Sequence, residues 1–106
     1  MKTFLRVLTA AIVLTGTTVA YCGSQSSHPK AGFVPDAKTA IAVAEAVLIP
    51  IYGEKQIVAE RPFTATVHGG VWTVRGTPVQ STQNGGAAEI EISEQSGCIL
   101  RVTHGK

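Results

Sequence analysis

The sequence predicts an α+β domain: one amphipathic N-terminal helix packed on a four-stranded antiparallel meander sheet. Three observations predict it. Apolar residues recur at helical spacing from Ala37 to Ile51, the period then changes to two at Phe63, and Gly-rich turn chemistry separates the alternating stretches.

The helix begins after Val34-Pro35-Asp36, where the Asp36 carboxylate is placed to accept from unpaired backbone N–H groups. Ala37, Ala40, Ile41, Ala44, Val47, Leu48 and Ile51 form a narrow, Ala-rich stripe suited to close packing on a sheet, with Lys38, Ala42 and Glu45 off it. Pro50 interrupts the hydrogen-bond ladder, so the regular helix is expected to end or kink near Ile49, and Gly53 lets the chain leave. Glu54 to Arg61 reads as a short polar passage.

Four strands follow. Phe63, Ala65 and Val67 alternate with threonines, and His68-Gly69-Gly70 supplies the positive dihedral angles of a tight hairpin. Trp72 and Val74 alternate with Val71, Thr73 and Arg75, and Gly76 to Gly86 has the composition of a surface loop. Ala88, Ile90 and Ile92 alternate with Glu89 and Glu91. After a turn at Glu94 to Gly97, Cys98, Leu100 and Val102 alternate with Ile99, Arg101 and Thr103. One face of the sheet is therefore expected to carry Phe63, Ala65, Val67, Trp72, Val74, Ala88, Ile90, Ile92, Leu100 and Val102 beneath the helix. The other carries threonines with Arg75, Glu89, Glu91 and Arg101, and Glu91 is placed to pair with Arg101 across the last hairpin.

The chain divides into residues 1–20, 21–32 and 33–106. Lys2 and Arg6, the apolar run Val7 to Leu14 and the small-residue site Thr18-Val19-Ala20 have the build of a secretory signal peptide. The apolar run falls short of the roughly 20 residues a membrane-spanning helix needs. Residues 21–32 read as a linker, and 33–106 as the folded domain. The whole chain has nine Lys and Arg against seven Asp and Glu; loss of Lys2 and Arg6 leaves the two in balance. A neutral mature surface argues against nucleic acid or anionic membrane as the main partner. The expected location is the periplasm, as a soluble protein or a periplasm-facing lipoprotein.

Cys22 has two readings. It is placed as the lipid-bearing first residue of a lipoprotein, although Tyr21 is bulky for such a site. Alternatively an oxidising compartment pairs it with Cys98. Cys98 lies in a strand pattern, where a buried free thiol is the plain alternative.

Catalytic chemistry is not legible. His28, His68 and His104 share no metal-ligand spacing, there is no CxxC, and no serine has the context of a nucleophile elbow. No glycine-rich loop opens the helix to cradle a phosphate. Glu89 and Glu91 share a strand face but have no apolar wall to raise a carboxyl pKa, so a solvated strand is the better account. The expectation is a binding protein without cofactor or metal. Trp72 reads as core beneath the helix, with an interface anchor as its functional alternative. Arg75, Arg101 and His104 are the candidate partner-binding residues, against the plain reading of solvated charge and a frayed terminus.

Three stretches, VPDAKTAIAVAEAVLIPIYGEKQI, RPFTATVHGGVWTVRGT and GGAAEIEISEQSGCILRVTHGK, resemble in content and order the YbbC/YhhH-type immunity proteins. The resemblance covers Phe33 to Lys106. It implies a nuclear-transport-factor-two-like fold and a protein that binds and blocks a toxin deployed between competing bacteria, so that the implied partner is a cognate protein toxin. The full fold has several helices before a curved sheet; a single clear helix here implies a reduced version. An exported member suits a toxin acting in the periplasm, blocked by occlusion through the exposed sheet face, the Gly76 to Gly86 loop or the C-terminal tail. The Ala-rich helix and the EIEISEQSGCIL ending also resemble PepSY-type domains, which implies as the alternative an envelope module acting as a protease inhibitor or sensor.

Overall fold

A computed structural model describes residues 27, 29–79 and 86–105. Helix α1 (Ala37–Tyr52) and a second helix α2 (Glu54–Ala59) precede four strands: β1 (Thr64–His68), β2 (Val71–Arg75), β3 (Ala88–Ser93) and β4 (Ile99–His104). The strands form one antiparallel sheet in the order β1-β2-β3-β4, with α1 packed against β1, β2 and β3. This is the expected helix-on-meander architecture, with one element more.

Asp36 caps α1: its backbone is extended and its Oδ1 accepts from Thr39 N–H at 2.7 Å. That hydrogen bond, made to the charged form, holds the Asp36 carboxyl below its ordinary value. The helix buries Ala40, Ala44 and Leu48 completely, one residue per turn along a single line. Small side chains in the first two positions let the helix axis come close to the sheet. Ile41, Val43, Val47 and Ile49 pack at the margins of that line, while Ile51, expected on the stripe, is 54% exposed.

The helix does not end near Ile49. It runs through Pro50, whose ring lies on the exposed side, to Tyr52. Gly53, at φ 93°, closes it by donating its N–H to Ile49 O at 2.8 Å. Glu54 to Ala59, read from the sequence as a polar passage, is helix α2, anchored by the fully buried Ile57. Arg61 then ties the end of α2 back to α1 through two hydrogen bonds to the Glu45 carboxylate, at 2.7 and 3.3 Å. This pairing raises the Arg61 pKa.

The β1–β2 and β2–β3 registers are continuous. Thr64 to His68 pairs with Arg75 back to Val71 around the Gly69-Gly70 turn, and Val71 to Arg75 pairs with Ser93 back to Glu89. Trp72, Val74, Ala88, Ile90 and Ile92 share the inner face and are buried with Phe63; Ala65 and Val102 pack partly buried beside them. Two residues assigned to that face are not core. Val67 pairs with Trp72 but lies on an edge strand with one neighbour, and stays 45% exposed. Leu100 is 53% exposed, because the β3–β4 register shifts between Glu91 and Ile92 so that Ile99, not Leu100, stands opposite Ile92. A bulge adds one residue on one strand and breaks the alternation that the sequence pattern assumes.

The chain leading into α1 is docked rather than free. Phe33 and Val34 donate to Gln95 O and Glu94 O, each at 3.0 Å, and Trp72 Nε1 donates to Val34 O at 2.7 Å. Gly32 is buried here at φ 84°, so close to the β3–β4 turn that a Cβ would overlap Glu94 O. Only glycine fits that approach.

Candidate functional site

Two arrangements of polar residues stand on opposite faces of the sheet. Behind it, the α2 C-cap Glu60 is the buried charged residue of the core, at 0% exposure. Its Oε1 accepts from Ala88 N–H at 2.6 Å, and its Oε2 accepts from Gln56 Nε2 at 2.9 Å. Its own carbonyl accepts from Thr77 N–H at 2.7 Å. His104 Nε2 lies 3.3 Å from Oε2, and His104 Nδ1 lies 3.1 Å from Gly105 O. Both facing groups are acceptors, so either ring nitrogen that carries a proton finds a partner. Tyr52 at the end of α1 lies against the His104 ring, with centroids 5.2 Å apart.

Glu60 therefore joins α2 to both ends of the β2–β3 connection and to the last residues of β4. The approach is tight: a Cβ on Gly76 would come within 2.9 Å of Glu60 Oε1 and 3.0 Å of Phe63 Cε1. The cluster is closed and satisfied. No buried side-chain polar atom among the described residues lacks a hydrogen-bond partner. This arrangement is suited to holding strands and loop ends in place.

In front, the sheet presents rows of directly opposed residues. One row is Thr66, Thr73, Glu91 and Arg101; the next is Thr64, Arg75, Glu89 and Thr103. Arg101 bonds diagonally to Glu89 Oε1 at 3.3 Å, not to the directly opposed Glu91 expected from the sequence. The result is alternating charge on an open, threonine-lined surface. Beside it, at the β4 edge and the entry to α1, Phe33, Ile99 and Leu100 leave apolar surface in water.

The three residues singled out as partner-binding do not form one patch. Arg75 and Arg101 flank Glu89 on the outer face, whereas His104 pairs with Ala88 and joins Glu60 on the inner side. His68 is exposed at the first hairpin. Cys98 is half-buried and disulfide-bonded. Cys22, His28 and residues 80–85 of the Gly76 to Gly86 loop lie outside the described residues, as does the 1–20 segment. Trp72 is core, at 7% exposure, with its indole N–H spent on Val34. Glu60 had no sequence signal beyond being an acid in a polar stretch.

Among the described residues no group of three or more His, Cys, Asp or Glu is arranged to hold a metal ion, and no helix is long and apolar enough to cross a membrane.

Comparison with known proteins bears on this geometry. The chain is 34% identical over 67 residues to YbbC, an uncharacterized protein of Escherichia coli (strain K12). That match covers 63% of this chain and 55% of YbbC, so the chain spans about half the length of this curated relative. No solved structure matches it. Residues 39–106, which run from the first turn of α1 through the end of the sheet, match the family described as NTF2 fold immunity protein. The helix-on-sheet body described above is thus that of an immunity-protein fold, and the chain belongs to the NTF2 fold immunity proteins.

Proposed function

We propose that this protein is exported and neutralises a cognate toxin by occlusion, covering the toxin's working surface with its outer sheet face and the adjoining β4 edge. The observation that carries the reading is the family match over residues 39–106, combined with a sheet face that neither of the described helices covers.

Size decides how far the contact must extend. Four strands at about 4.8 Å spacing, of five or six residues at about 3.3 Å each, make a flat face of only about 300–400 Å². A stable complex covers about 800 Å² on each partner. The outer face alone is too small, so the contact continues over an edge. The β4 edge is the favoured one, because Ile99, Leu100 and Phe33 supply apolar area next to the Arg75–Glu89–Arg101 charges. Apolar anchors beside oriented charges are the composition that gives affinity and register together. Occlusion requires a rigid surface, and the Glu60 cluster behind the sheet supplies rigidity. No catalytic step by this chain is involved.

Export is supported by the charged start, apolar run and Ala20 site of residues 1–20, and by the disulfide on Cys98, which fits an oxidising compartment. The test is neutralisation. A toxin captured by the tagged mature chain from an extract of its own host is purified and assayed with the mature chain and with Leu100→Lys and Arg101→Glu variants. Stoichiometric inhibition by the parent chain, weakened at least tenfold in the variants, is expected. A tight complex with a protease instead of a toxin, or full neutralisation by both variants, overturns the reading or its proposed surface respectively.

A further inference from the structure

We infer that β1 is the joining edge of a symmetric dimer, in which two copies pair β1 with β1 antiparallel about a two-fold axis at Thr66 and make one continuous eight-stranded sheet. The inference goes beyond the immunity reading and does not depend on it.

The ladder decides which backbone groups β1 has to offer. Gly76 N–H donates to Ala88 O and Glu94 N–H donates to Gly70 O, both at 2.9 Å and both between residues opposed in the β2–β3 register. Bonded pairs alternate with unbonded ones along an antiparallel ladder. Gly70, Trp72, Val74 and Gly76 therefore bond toward β3, and Val71, Thr73 and Arg75 bond toward β1. Their partners in β1 are His68, Thr66 and Thr64. The N–H and C=O groups of Ala65 and Val67 are left pointing away from β2, and among the described residues no strand pairs with that edge. Every β1 residue except Ala65 is exposed, and Val67 is 45% exposed.

The two edges of the sheet are unlike. β4 carries Arg101 and a register shift against β3, and charge and bulges both discourage strand addition. β1 holds no Lys, Arg, Asp, Glu or Pro, and its register is unbroken. It is also its own complement. With Thr66 on the axis, Ala65 stands opposite Val67 of the second copy and exchanges both backbone bonds with it, while the two Thr66 Cα atoms lie about 4.5 Å apart as an unbonded pair. Threonine opposite threonine is a favourable cross-strand pair. The exposed Val67 comes beside an Ala65 that already packs against the core. Both copies use the same edge, so the contact closes on a dimer and leaves the β4 edges outside.

One consequence is a wider outer face. Two faces of about 300–400 Å² joined side by side present about 600–800 Å², close to the share of each partner in a stable complex. The β1 contact is itself smaller than that, so the dimer is reversible and depends on concentration.

The experiment uses the full chain, expressed with its own N-terminus and purified without reductant. Sedimentation equilibrium from about 1 µM to about 1 mM spans the range in which a contact of this size dissociates. Amide hydrogen exchange is read residue by residue over the same range. The expected result is a mass that rises to twice that of the monomer, with exchange at Ala65 and Val67 slowed as it rises and exchange at Thr64 and Thr66 unchanged. Thr66→Lys sets two ammonium groups at the axis, and Val67→Pro removes an outward donor without removing a bond to β2. Each is expected to raise the dimer Kd at least about tenfold, and Thr66→Lys is expected to keep the parent's urea midpoint. A chain still monomeric at about 1 mM overturns the inference. So does a dimer that slows exchange at Leu100 and Val102 instead, one that Thr66→Lys leaves intact, or one held by a disulfide between copies.

Discussion

Glu60 with His104 behind the sheet, and Glu89 with Arg101 in front of it, each place a carboxylate oxygen 3.3 Å from a basic nitrogen. Distance does not distinguish them; water does. The Glu60 side chain is 0% exposed and Glu89 is 25% exposed, beside an Arg101 that is 55% exposed. The buried carboxylate has left water and is compensated by hydrogen bonds from Ala88 N–H and Gln56 Nε2, with the His104 ring beside it. The exposed one keeps much of its hydration, so its pair adds little to stability and its charge stays available to a partner. In this protein, burial separates the polar residues that hold the fold from those that can read another molecule.

The largest effect should come from breaking the inner arrangement. Glu60→Ala removes the acceptor for Ala88 N–H and Gln56 Nε2 and leaves a void beside Gly76 and Phe63; it is expected to cost about 3–5 kcal/mol, read from the urea midpoint. Glu60→Gln sharpens the point. Its oxygen can still serve Ala88, but its amide nitrogen then faces another donor, so the loss should be intermediate. If both variants unfold with the parent chain, the cluster is not what joins α2 to the strands.

Next in size is Trp72→Phe, which keeps an aromatic ring in the core but leaves Val34 O without its donor. An expected cost of about 1–3 kcal/mol should come with faster hydrogen exchange at Phe33 and Val34. Exchange confined to β2 would mean the indole N–H does not hold the entry segment down.

This ranking also explains what the sequence made legible. The α1 stripe, the strand alternation, the Gly69-Gly70 turn and the core role of Trp72 are all periodic or local signals. Each is repeated over several residues, so the fold could be read from them. Glu60 is a single residue whose partners lie 28 and 44 positions away at Ala88 and His104. No local pattern distinguishes it from Glu54. The same limit hid the bulge at Glu91 and Ile92: alternation is a rule within a strand, and one inserted residue shifts Leu100 out of the core without altering composition. Arg75 and Arg101 were legible as outward by parity, whereas His104 was placed with them because its inner neighbours come from elsewhere in the chain.

A smaller effect on stability is expected in front. Arg101→Ala should change it by only about 0–1 kcal/mol, while weakening a toxin complex at least tenfold if the outer face is the contact. A destabilisation comparable to that of Glu60→Ala would contradict the division between the two faces.

The smallest effect concerns a third carboxylate, and it tests whether hydrogen bonding without burial leaves a measurable trace. Asp36 is exposed, yet its carboxyl is held below its ordinary value of 3.8, first by the hydrogen bond from Thr39 N–H and secondarily by Thr39's side chain and Lys38. Because the folded pKa is lower than the unfolded one, the contribution is complete above the ordinary value and is lost as pH falls through the folded one. Asp36→Asn keeps an oxygen to accept from Thr39 but carries no titrating charge. The difference in urea midpoint between parent and variant should therefore be constant from about pH 7 to 5 and shrink toward about pH 3, while other carboxylates cancel in the comparison. A difference that grows on acidification would mean the cap bond favours the neutral acid, the reverse of what an N-terminal helix carboxylate should do. The α1 stripe would then hold the helix start without help from Asp36.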